Sequence, residues 1–354
     1  MTDTIEKPAT AELTPQARVD AWLADFESAL ATRDVERAVN KFAVDSFWRD
    51  LVSFTWNIKT LEGREGIADM LTERAAVTEP SGFKTRETPT DDGGGVVSAW
   101  IEFETAVGRG VGHLRLKGDE AWTLLTALQE LKDHEEPKGA SRVMGAVHGS
   151  DPDTRSWAEK REAEEKALGY TAQPYTLVVG GGQGGIALGA RLRQLGVPAI
   201  VVDRHERPGD QWRKRYKSLC LHDPVWYDHL PYLPFPQNWP VFAPKDKIGD
   251  WLEFYTRVME VPYWSKTTCL SASFDEAEQR WTVEVDRDGE RVTLRPTQLV
   301  LATGMSGKPS VPTFPGQDVF KGHQHHSSHH PGPDGYVGKR AVVVGSNNSA
   351  HDIC

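Results

Sequence analysis

The sequence is poor in cysteine and has no secretory leader pattern. Its 354 residues include three cysteines that lie far apart, Cys220, Cys269 and Cys354. Such isolated cysteines are typical of reduced thiols rather than of a disulfide framework. The first residues lack the basic and apolar regions of a signal peptide. Both features predict a cytoplasmic protein.

Two further deficits exclude classes of partner. No apolar run approaches the roughly 18 residues that a membrane-spanning helix needs, so we expect no membrane partner. The formal net charge is −10, with Lys and Arg scattered along the chain. This balance argues against a nucleic-acid-binding surface. The length allows two or three domains, each with its own core.

The most informative segment, residues 174–203, has a strand–glycine–helix–strand pattern. Its chemistry-bearing residues are Gly180, Gly182, Gly185 and Asp203. In a dinucleotide-binding Rossmann unit the first glycine permits the tight turn, the second admits the pyrophosphate, and the third packs the helix against the strand. An acid that ends the second strand is spaced to accept hydrogen bonds from a ribose hydroxyl. The segment therefore favours a dinucleotide site over a glycine-rich turn of another α/β protein.

Residues 14–132 have the pattern of an α+β domain. Thr14 and Pro15 form a helix start, Asp34 caps a second helix, and Gly63 leads into a third apolar helical pattern. A short strand is predicted at 47–50. After a turn at 91–95 the apolar period changes to two, which predicts strands over 97–105, 111–116 and 122–128. Helices followed by an antiparallel sheet are typical of α+β domains.

This order, with residues 48–67 at its centre, resembles the cone-shaped nuclear transport factor 2-like (NTF2/SnoaL-like) domains. The resemblance implies an enclosed apolar pocket, in which some members use an Asp or a His as a catalyst. Asp50 and His113 are the candidates here, and the alternative is a surface Asp and a strand His without catalytic function. It also implies a homodimer, because such domains often pair.

The flanking segments have a different character. Residues 1–13 are predicted to be disordered, and the polar residues 133–173 are predicted to form a linker with a solvated, charged helix.

The second half of the chain continues the α/β pattern. The proline- and aromatic-rich residues 209–240 are typical of an ordered loop that covers a flat cofactor, or of a structural loop packed around a core. An amphipathic helix follows at 245–260, then strands at 268–274, 281–286 and 299–304. Residues 342–350 repeat the strand–turn–helix phosphate loop, with Asn347 and Ala350 in place of the second and third glycines.

Several motifs occur together in this half. They are the first fingerprint, GDQWR at 209–213, LCLHDP at 219–224, PYLPFP at 231–236, LVLATG at 299–304, the Phe320-x-Gly322-x-x-x-His326 signature, and VVVGSNNSAHD at 342–352. In this order and spacing, residues 174–354 resemble the N-terminal part of flavin-dependent monooxygenases of the flavin-containing and Baeyer–Villiger type. The resemblance implies a Rossmann-type FAD-binding domain over 174–335 and the start of an NAD(P)-binding Rossmann domain over 336–354. The sequence is thus expected to be an N-terminal fragment.

The resemblance also implies which residues bind the cofactors. The residues expected to bind FAD are Gly180, Gly182, Gln183, Gly185, Asp203, Arg204, Trp212, Arg213, His222, Thr303 and Gly304. Those expected to bind NADPH are Gly345, Ser346, Asn348 and Ser349. His326, in the segment that links the two domains, is the catalytic candidate. His222 stands where animal members have an active-site Asn, and His330 stands where the signature usually ends in an aromatic residue.

The implied activity is oxygenation of a small organic substrate. NADPH reduces FAD, the reduced flavin captures O2 as a C4a-(hydro)peroxide, and one oxygen atom passes to an amine, a sulfide or a ketone. Three alternatives remain open. They are a flavin NAD(P)H oxidoreductase without oxygenation, a non-catalytic flavin-binding remnant, and a flavin disulfide reductase, for which Cys220 lacks a nearby partner.

A histidine cluster offers a metal-binding interpretation. Its members are His323, His325, His326, His329 and His330. Imidazole is a common metal ligand, but no cysteine lies near the cluster. We therefore expect no metal site and favour the linker function of His326.

Overall fold

The computed structural model describes residues 13–146, 149, 153–305 and 307–354. It divides into two compact units, of which one ends at Glu136 and the other begins at Pro137. Apart from Leu13, the segment predicted to be disordered lies outside the described residues.

The helices of the N-terminal unit begin where the sequence predicts. They are α1 (Pro15–Ala31), α2 (Val35–Val39) and α3 (Gly63–Thr78). The Thr14 hydroxyl caps α1 by accepting the backbone N–H of Ala17, and the Asp34 carboxylate caps α2 by accepting that of Arg37. Both predicted caps are confirmed.

The strands of this unit form one seven-stranded sheet. They are β1 (Phe42–Leu51), β2 (Ile58–Glu62), β3 (Ser81–Thr85), β4 (Thr90–Gly93), β5 (Val96–Glu104), β6 (Gly108–Lys117) and β7 (Glu120–Leu131). The order is β2-β1-β7-β6-β5-β3, with β4 paired to β5. The antiparallel pairs β5–β6 and β6–β7 confirm the three strands predicted over 97–128. The sheet is nevertheless mixed, because β1 pairs with β7 in parallel.

Aromatic rings fill the space between this sheet and the helices. The buried rings belong to Trp22, Phe26, Phe42, Trp48, Phe54, Phe83 and Phe103. Neighbouring centroids lie 4.7 to 6.0 Å apart, within the range of favourable aromatic pairs. Burial of each such side chain contributes about 1.5–3 kcal/mol. Rings therefore occupy the interior in which the resemblance implies an apolar pocket.

The second unit contains a parallel sheet and a smaller antiparallel one. Its helices are α4 (Trp157–Ala167), α5 (Gln183–Gln194), α6 (Asp210–Arg213), α7 (Lys245–Val258) and α8 (Asn348–Ile353). Its strands are β8 (Thr176–Val179), β9 (Ala199–Val202), β10 (Tyr263–Trp264), β11 (Thr267–Asp275), β12 (Arg280–Arg287), β13 (Glu290–Leu294) and β14 (Gln298–Leu301). The parallel order is β10-β9-β8-β14, and β11, β12 and β13 are antiparallel. The predicted strand–helix–strand unit forms as β8, α5 and β9, and a helix, α4, forms within the residues predicted to be a linker.

The second phosphate loop differs from its prediction. Its helix, α8, forms after Asn347, but residues 341–346 form no strand. Val342 and Val344 are 89% and 70% exposed. A strand depends on hydrogen bonds to a neighbour, and in the described part of the chain none pairs with this segment. The predicted strand is therefore wrong for this chain.

Candidate functional site

The glycine loop between β8 and α5 has the backbone that a dinucleotide site needs. Gly180 has φ +111°, and a Cβ there would overlap the carbonyl oxygen of Ala302, at the end of β14. A Cβ at Gly185 would overlap the carbonyl oxygen of Gly180, which shows how closely α5 packs on the loop. Gly180 is required by the turn, and Gly185 is required by the close contact between the helix and the loop, as the fingerprint predicts.

The space beside Gly182 is open. Among the described residues, the nearest atom to a Cβ built there is Nε2 of Gln211, at 3.6 Å. Gly182 is also the N-cap of the twelve-residue helix α5, and the described structure gives it no side-chain cap. The first backbone N–H groups of a helix have no intrahelical acceptor, and they attract anions. The loop therefore offers both the space and the donors that a pyrophosphate needs.

Asp203 lies beside this loop at the end of β9. Its Oδ2 accepts the backbone N–H of Gly181 at 2.8 Å. Its Oδ1 accepts the backbone N–H of His205 at 2.8 Å and contacts Nδ1 of the same residue at 2.6 Å. A carboxylate accepts about four hydrogen bonds, so capacity remains for a ribose hydroxyl. Arg204, next in the chain, is exposed.

Two residues that the sequence did not single out hold the same loop. The Tyr263 hydroxyl donates to the carbonyl oxygen of Gly181 at 3.2 Å, and Nε2 of Gln211 does so at 3.4 Å. Burial and the charges of Asp203 and Asp210 raise the pKa of Tyr263 far above its ordinary value, so the hydroxyl keeps its proton. Oε1 of Gln211 is buried and has no hydrogen-bond partner among the described residues.

Trp212 and Arg213 both lie on α6, but they differ in their surroundings. Trp212 is half-buried, and its Nε1 donates to Oε1 of Gln183 at 3.2 Å, which places it near the start of α5. The guanidinium of Arg213 uses all of its N–H groups within the protein. Its acceptors are the Pro208 carbonyl oxygen and the carboxylates of Asp210, Asp250 and Glu253. Arg213 thus joins α6 to α7, and its guanidinium is not presented to a ligand.

His222 contacts the helix of the second phosphate loop. Its Nε2 lies 2.9 Å from Oδ2 of Asp352, and its Nδ1 lies 2.9 Å from Nδ2 of Asn348. The structure therefore brings together one residue assigned to FAD and one assigned to NADPH. Asp352 is the last residue of the motif at 342–352, but the sequence analysis gives it no function.

The other predicted cofactor residues lie at loop ends. Thr303 and Gly304 follow β14 and are exposed, and the backbone nitrogen of Thr303 would lie 3.1 Å from a Cβ at Gly180. In the second loop, Gly345 has φ +144° and is exposed together with Ser346 and Asn348, whereas Ser349 is half-buried.

His326 has a structural contact in the linker segment. Its Nδ1 accepts the backbone N–H of Ser328 at 3.2 Å and caps the short 3₁₀ turn Ser327–His329, which contacts α8. The Phe320 ring lies against Gly322, where a Cβ would overlap it. Burial and the neighbouring histidines lower the pKa of His325. The structure shows a cap at His326, and its catalytic role remains a prediction.

The two N-terminal candidates lie on opposite faces of their sheet. Asp50 is fully buried, not on the surface, and its carboxylate accepts hydrogen bonds from the backbone of residues 53–55 and from the Thr55 and Thr126 hydroxyls. His113 faces outward, with its ring 4.7 Å from that of Trp100. Burial lowers the pKa of His113, and Arg115 lowers it further. These positions give the pair no common site.

Comparison with known proteins concerns the second unit. Residues 205–354 match the model of the family described as flavin-binding monooxygenase-like. The indole-3-pyruvate monooxygenase YUCCA1 of Oryza sativa subsp. japonica is 36% identical over 196 residues, which are 55% of this chain and 47% of the relative. YUCCA6 of Arabidopsis thaliana is 33% identical over 181 residues, 50% of this chain and 43% of the relative. The chain spans about half the length of the curated relatives it matches.

Solved structures of similar proteins cover the same part. A flavin-containing monooxygenase from Stenotrophomonas maltophilia is 27% identical with a TM-score of 0.43, over 47% of this chain and 48% of the other. OTEMO, solved as a complex with FAD and NADP, is 24% identical with a TM-score of 0.42, over 51% and 36%. Because both TM-scores are below 0.5, these two structures carry no argument about function.

No helix of the described residues is long and apolar enough to cross a membrane.

Proposed function

We propose that residues 174–335 are the FAD-binding part, and residues 336–354 the beginning of the NADPH-binding part, of a flavin-dependent monooxygenase. The enzyme would transfer one oxygen atom of O2 to a small amine, sulfide or ketone. The observation that carries the proposal is the glycine loop. It combines an open side at Gly182 with an uncapped helix N-terminus. The similarity of this half to flavin monooxygenases supports FAD as the group bound there.

The residues of the first loop would bind and orient FAD. The N–H groups at the start of α5 would bind the pyrophosphate, and the remaining acceptor capacity of Asp203 would bind a ribose hydroxyl. Thr303 and Gly304 would lie beside the cofactor at the end of β14. When bound, FAD supplies hydride acceptance and O2 activation.

The second loop would bind NADPH through Gly345, Ser346, Asn348 and Ser349. Asn348 donates to His222, so the second loop already contacts the loop after α6. Trp212 and the proline- and aromatic-rich residues 226–239 would limit the access of water to the reacting rings.

We further propose that the N-terminal unit is an NTF2/SnoaL-like cone that pairs into a homodimer in the cytoplasm. Two helices against one face of a mixed sheet support the cone. Exposed apolar side chains on the opposite face, Phe47, Ile58 and Trp100, support the dimer. Light scattering of the purified chain would test it, since a monomeric mass would contradict the dimer.

A second candidate, FAD binding without turnover by this chain, is favoured by the unpaired segment 341–346. An absorption spectrum and an NADPH-oxidation assay of the purified chain distinguish the two. Bound FAD with NADPH consumption supports the monooxygenase part. Bound FAD without consumption supports the second candidate, and a chain that does not bind FAD contradicts both.

A further inference from the structure

A hydrogen-bonded cluster joins the loop after α6 to helix α8. Oδ2 of Asp352 accepts a hydrogen bond from the Tyr216 hydroxyl at 2.7 Å and lies 2.9 Å from Nε2 of His222. The other ring nitrogen of His222, Nδ1, lies 2.9 Å from Nδ2 of Asn348. The Ser218 hydroxyl donates to the backbone carbonyl of Asp352 at 2.9 Å. Residues more than a hundred positions apart in the sequence thus form one network.

The amide orientation of Asn348 decides which tautomer the His222 ring adopts. The side-chain NH2 group of Asn348 can only donate, so Nδ1 of His222 accepts and carries no proton. The neutral ring then carries its proton on Nε2 and donates it to Asp352. The opposite amide orientation would place an oxygen against Nδ1 and would require a proton there.

Asp352 is suited to accept from two donors. Its side chain is 18% exposed, and the Tyr216 side of the cluster is buried. Partial burial raises the pKa of Asp352, but the hydrogen bonds from Tyr216 and His222 outweigh this and lower the pKa below its ordinary value. Hydrogen bonds to an ionised acceptor are about twice as strong as neutral ones, so the carboxylate fixes both donors.

The cluster joins the second nucleotide loop to the loop after α6. Asn348 is the first residue of α8 and belongs to the second nucleotide loop, whereas His222 belongs to the loop on the FAD side. A change in the His222 ring therefore alters a side chain of the nucleotide loop directly. The Asp352 carboxylate reaches this loop through His222 and also binds Tyr216.

We propose that Asp352 is a positioning residue, which fixes the His222 ring so that Nδ1 holds the Asn348 amide in place for the second nucleotide. The identity of that nucleotide as NADP(H) rests on the proposed function. The tautomer of His222 is independent of the proposed function.

The substitution Asp352→Asn tests this in the FAD-loaded chain. We expect the 15N signals of the His222 ring to shift from the Nε2–H tautomer toward a mixture. We also expect the affinity for NADP⁺, measured by calorimetry, to fall about tenfold, the effect of losing one charge-assisted hydrogen bond. FAD affinity should stay unchanged. The matched control is Asp334→Asn, which removes the same charge from an exposed residue that pairs with Lys217 nearby.

His222→Leu provides a second variant at an exposed position if Asp352→Asn fails to fold. Its side chain has neither ring nitrogen and cannot accept from Asn348, so NADP⁺ affinity should fall similarly. The double variant should show no further loss, because both changes remove one coupled interaction.

Unchanged ring signals and unchanged NADP⁺ affinity in Asp352→Asn would overturn the proposal, as would equal losses in the Asp334→Asn control. If His222→Leu is needed instead, unchanged NADP⁺ affinity in that variant would overturn it. A wild-type chain that binds FAD but no NADP⁺ contradicts the proposed second-nucleotide site. The ring signals would still decide whether Asp352 positions His222.

Discussion

The Asp50 carboxylate is buried in the N-terminal unit and is saturated with hydrogen bonds. It accepts the Thr126 hydroxyl at 2.8 Å, and Thr126 in turn accepts Nε1–H of Trp48 at 2.9 Å. The backbone N–H groups of the following turn bind the same carboxylate. A buried carboxylate with so many donors holds the turn after β1 in place, because loss of a partner leaves a charge without compensation.

The substitution Thr126→Val tests this network. It removes one donor to Asp50 and the acceptor for Trp48, and we expect it to lower the free energy of unfolding of the N-terminal unit by about 1–3 kcal/mol. Urea denaturation followed by tryptophan fluorescence measures the change. Thr123→Val, on the outward face of the same strand, is the control. Equal stability of the two variants would contradict a structural role for Asp50.

His113 gives the N-terminal unit a pH dependence. Burial lowers its pKa below the ordinary 6.5, so the unfolded chain binds the proton more readily than the folded one. Stability is therefore complete above the unfolded pKa and falls as the pH decreases below it. We expect His113→Gln to weaken this fall, and His134→Gln, at an exposed position, to leave it unchanged. Parallel pH profiles of wild type and His113→Gln would be inconsistent with the shift.

At the scale of elements, the sequence predicted the features that depend on neighbouring residues, such as helix caps and turns. Thr14 and Asp34 cap their helices from adjacent residues, and the glycine loop lies between the strand and helix that its spacing predicts. The parallel pairing of β1 with β7 could not be predicted, because the residues of one strand do not identify the strand with which it pairs. Val342–Val344 show the converse, since an apolar run forms no strand without a neighbour.

For the candidate site, the sequence likewise predicted the residues that lie close together along the chain. Gly180, Gly182, Gly185 and Asp203 are adjacent in the structure because one strand–helix–strand unit contains them all. Tyr263 and Asp352 reach their loops through β10 and α8, from distant parts of the sequence. The flavin contact expected of Arg213 finds no support, since its carboxylate partners lie on α6 and α7.

The packing of α5 on the glycine loop depends on Gly185. A Cβ there would overlap the Gly180 carbonyl oxygen. We expect Gly185→Ala to destabilise the second unit by roughly 1–3 kcal/mol, the usual cost of overpacking. Thermal unfolding monitored by circular dichroism measures the change. Gly184→Ala is the control, because the described structure places nothing within 4 Å of its Cβ. A variant as stable as the control would show that α5 can shift without cost.

At the scale of the whole molecule, the chain combines two units with separate cores. The first is an aromatic-filled α+β unit, and the second contains the parallel sheet with the glycine loop. The proposed chemistry belongs to the second unit. Thr126→Val should therefore lower the stability of the first unit and leave the FAD content of the purified chain unchanged.

The most direct test of FAD binding at the glycine loop is the FAD affinity of Gly182→Ala. A methyl group at Gly182 enters the open space and meets only the end of the Gln211 side chain, at 3.6 Å, among the described residues. The fold should tolerate it. If the pyrophosphate lies there, FAD affinity, measured by flavin fluorescence, falls at least about tenfold, equivalent to ~1.4 kcal/mol. Gly184→Ala should bind FAD like the wild type. Equal FAD affinity of Gly182→Ala and wild type, with both folded, would contradict the assignment of this loop as the FAD site.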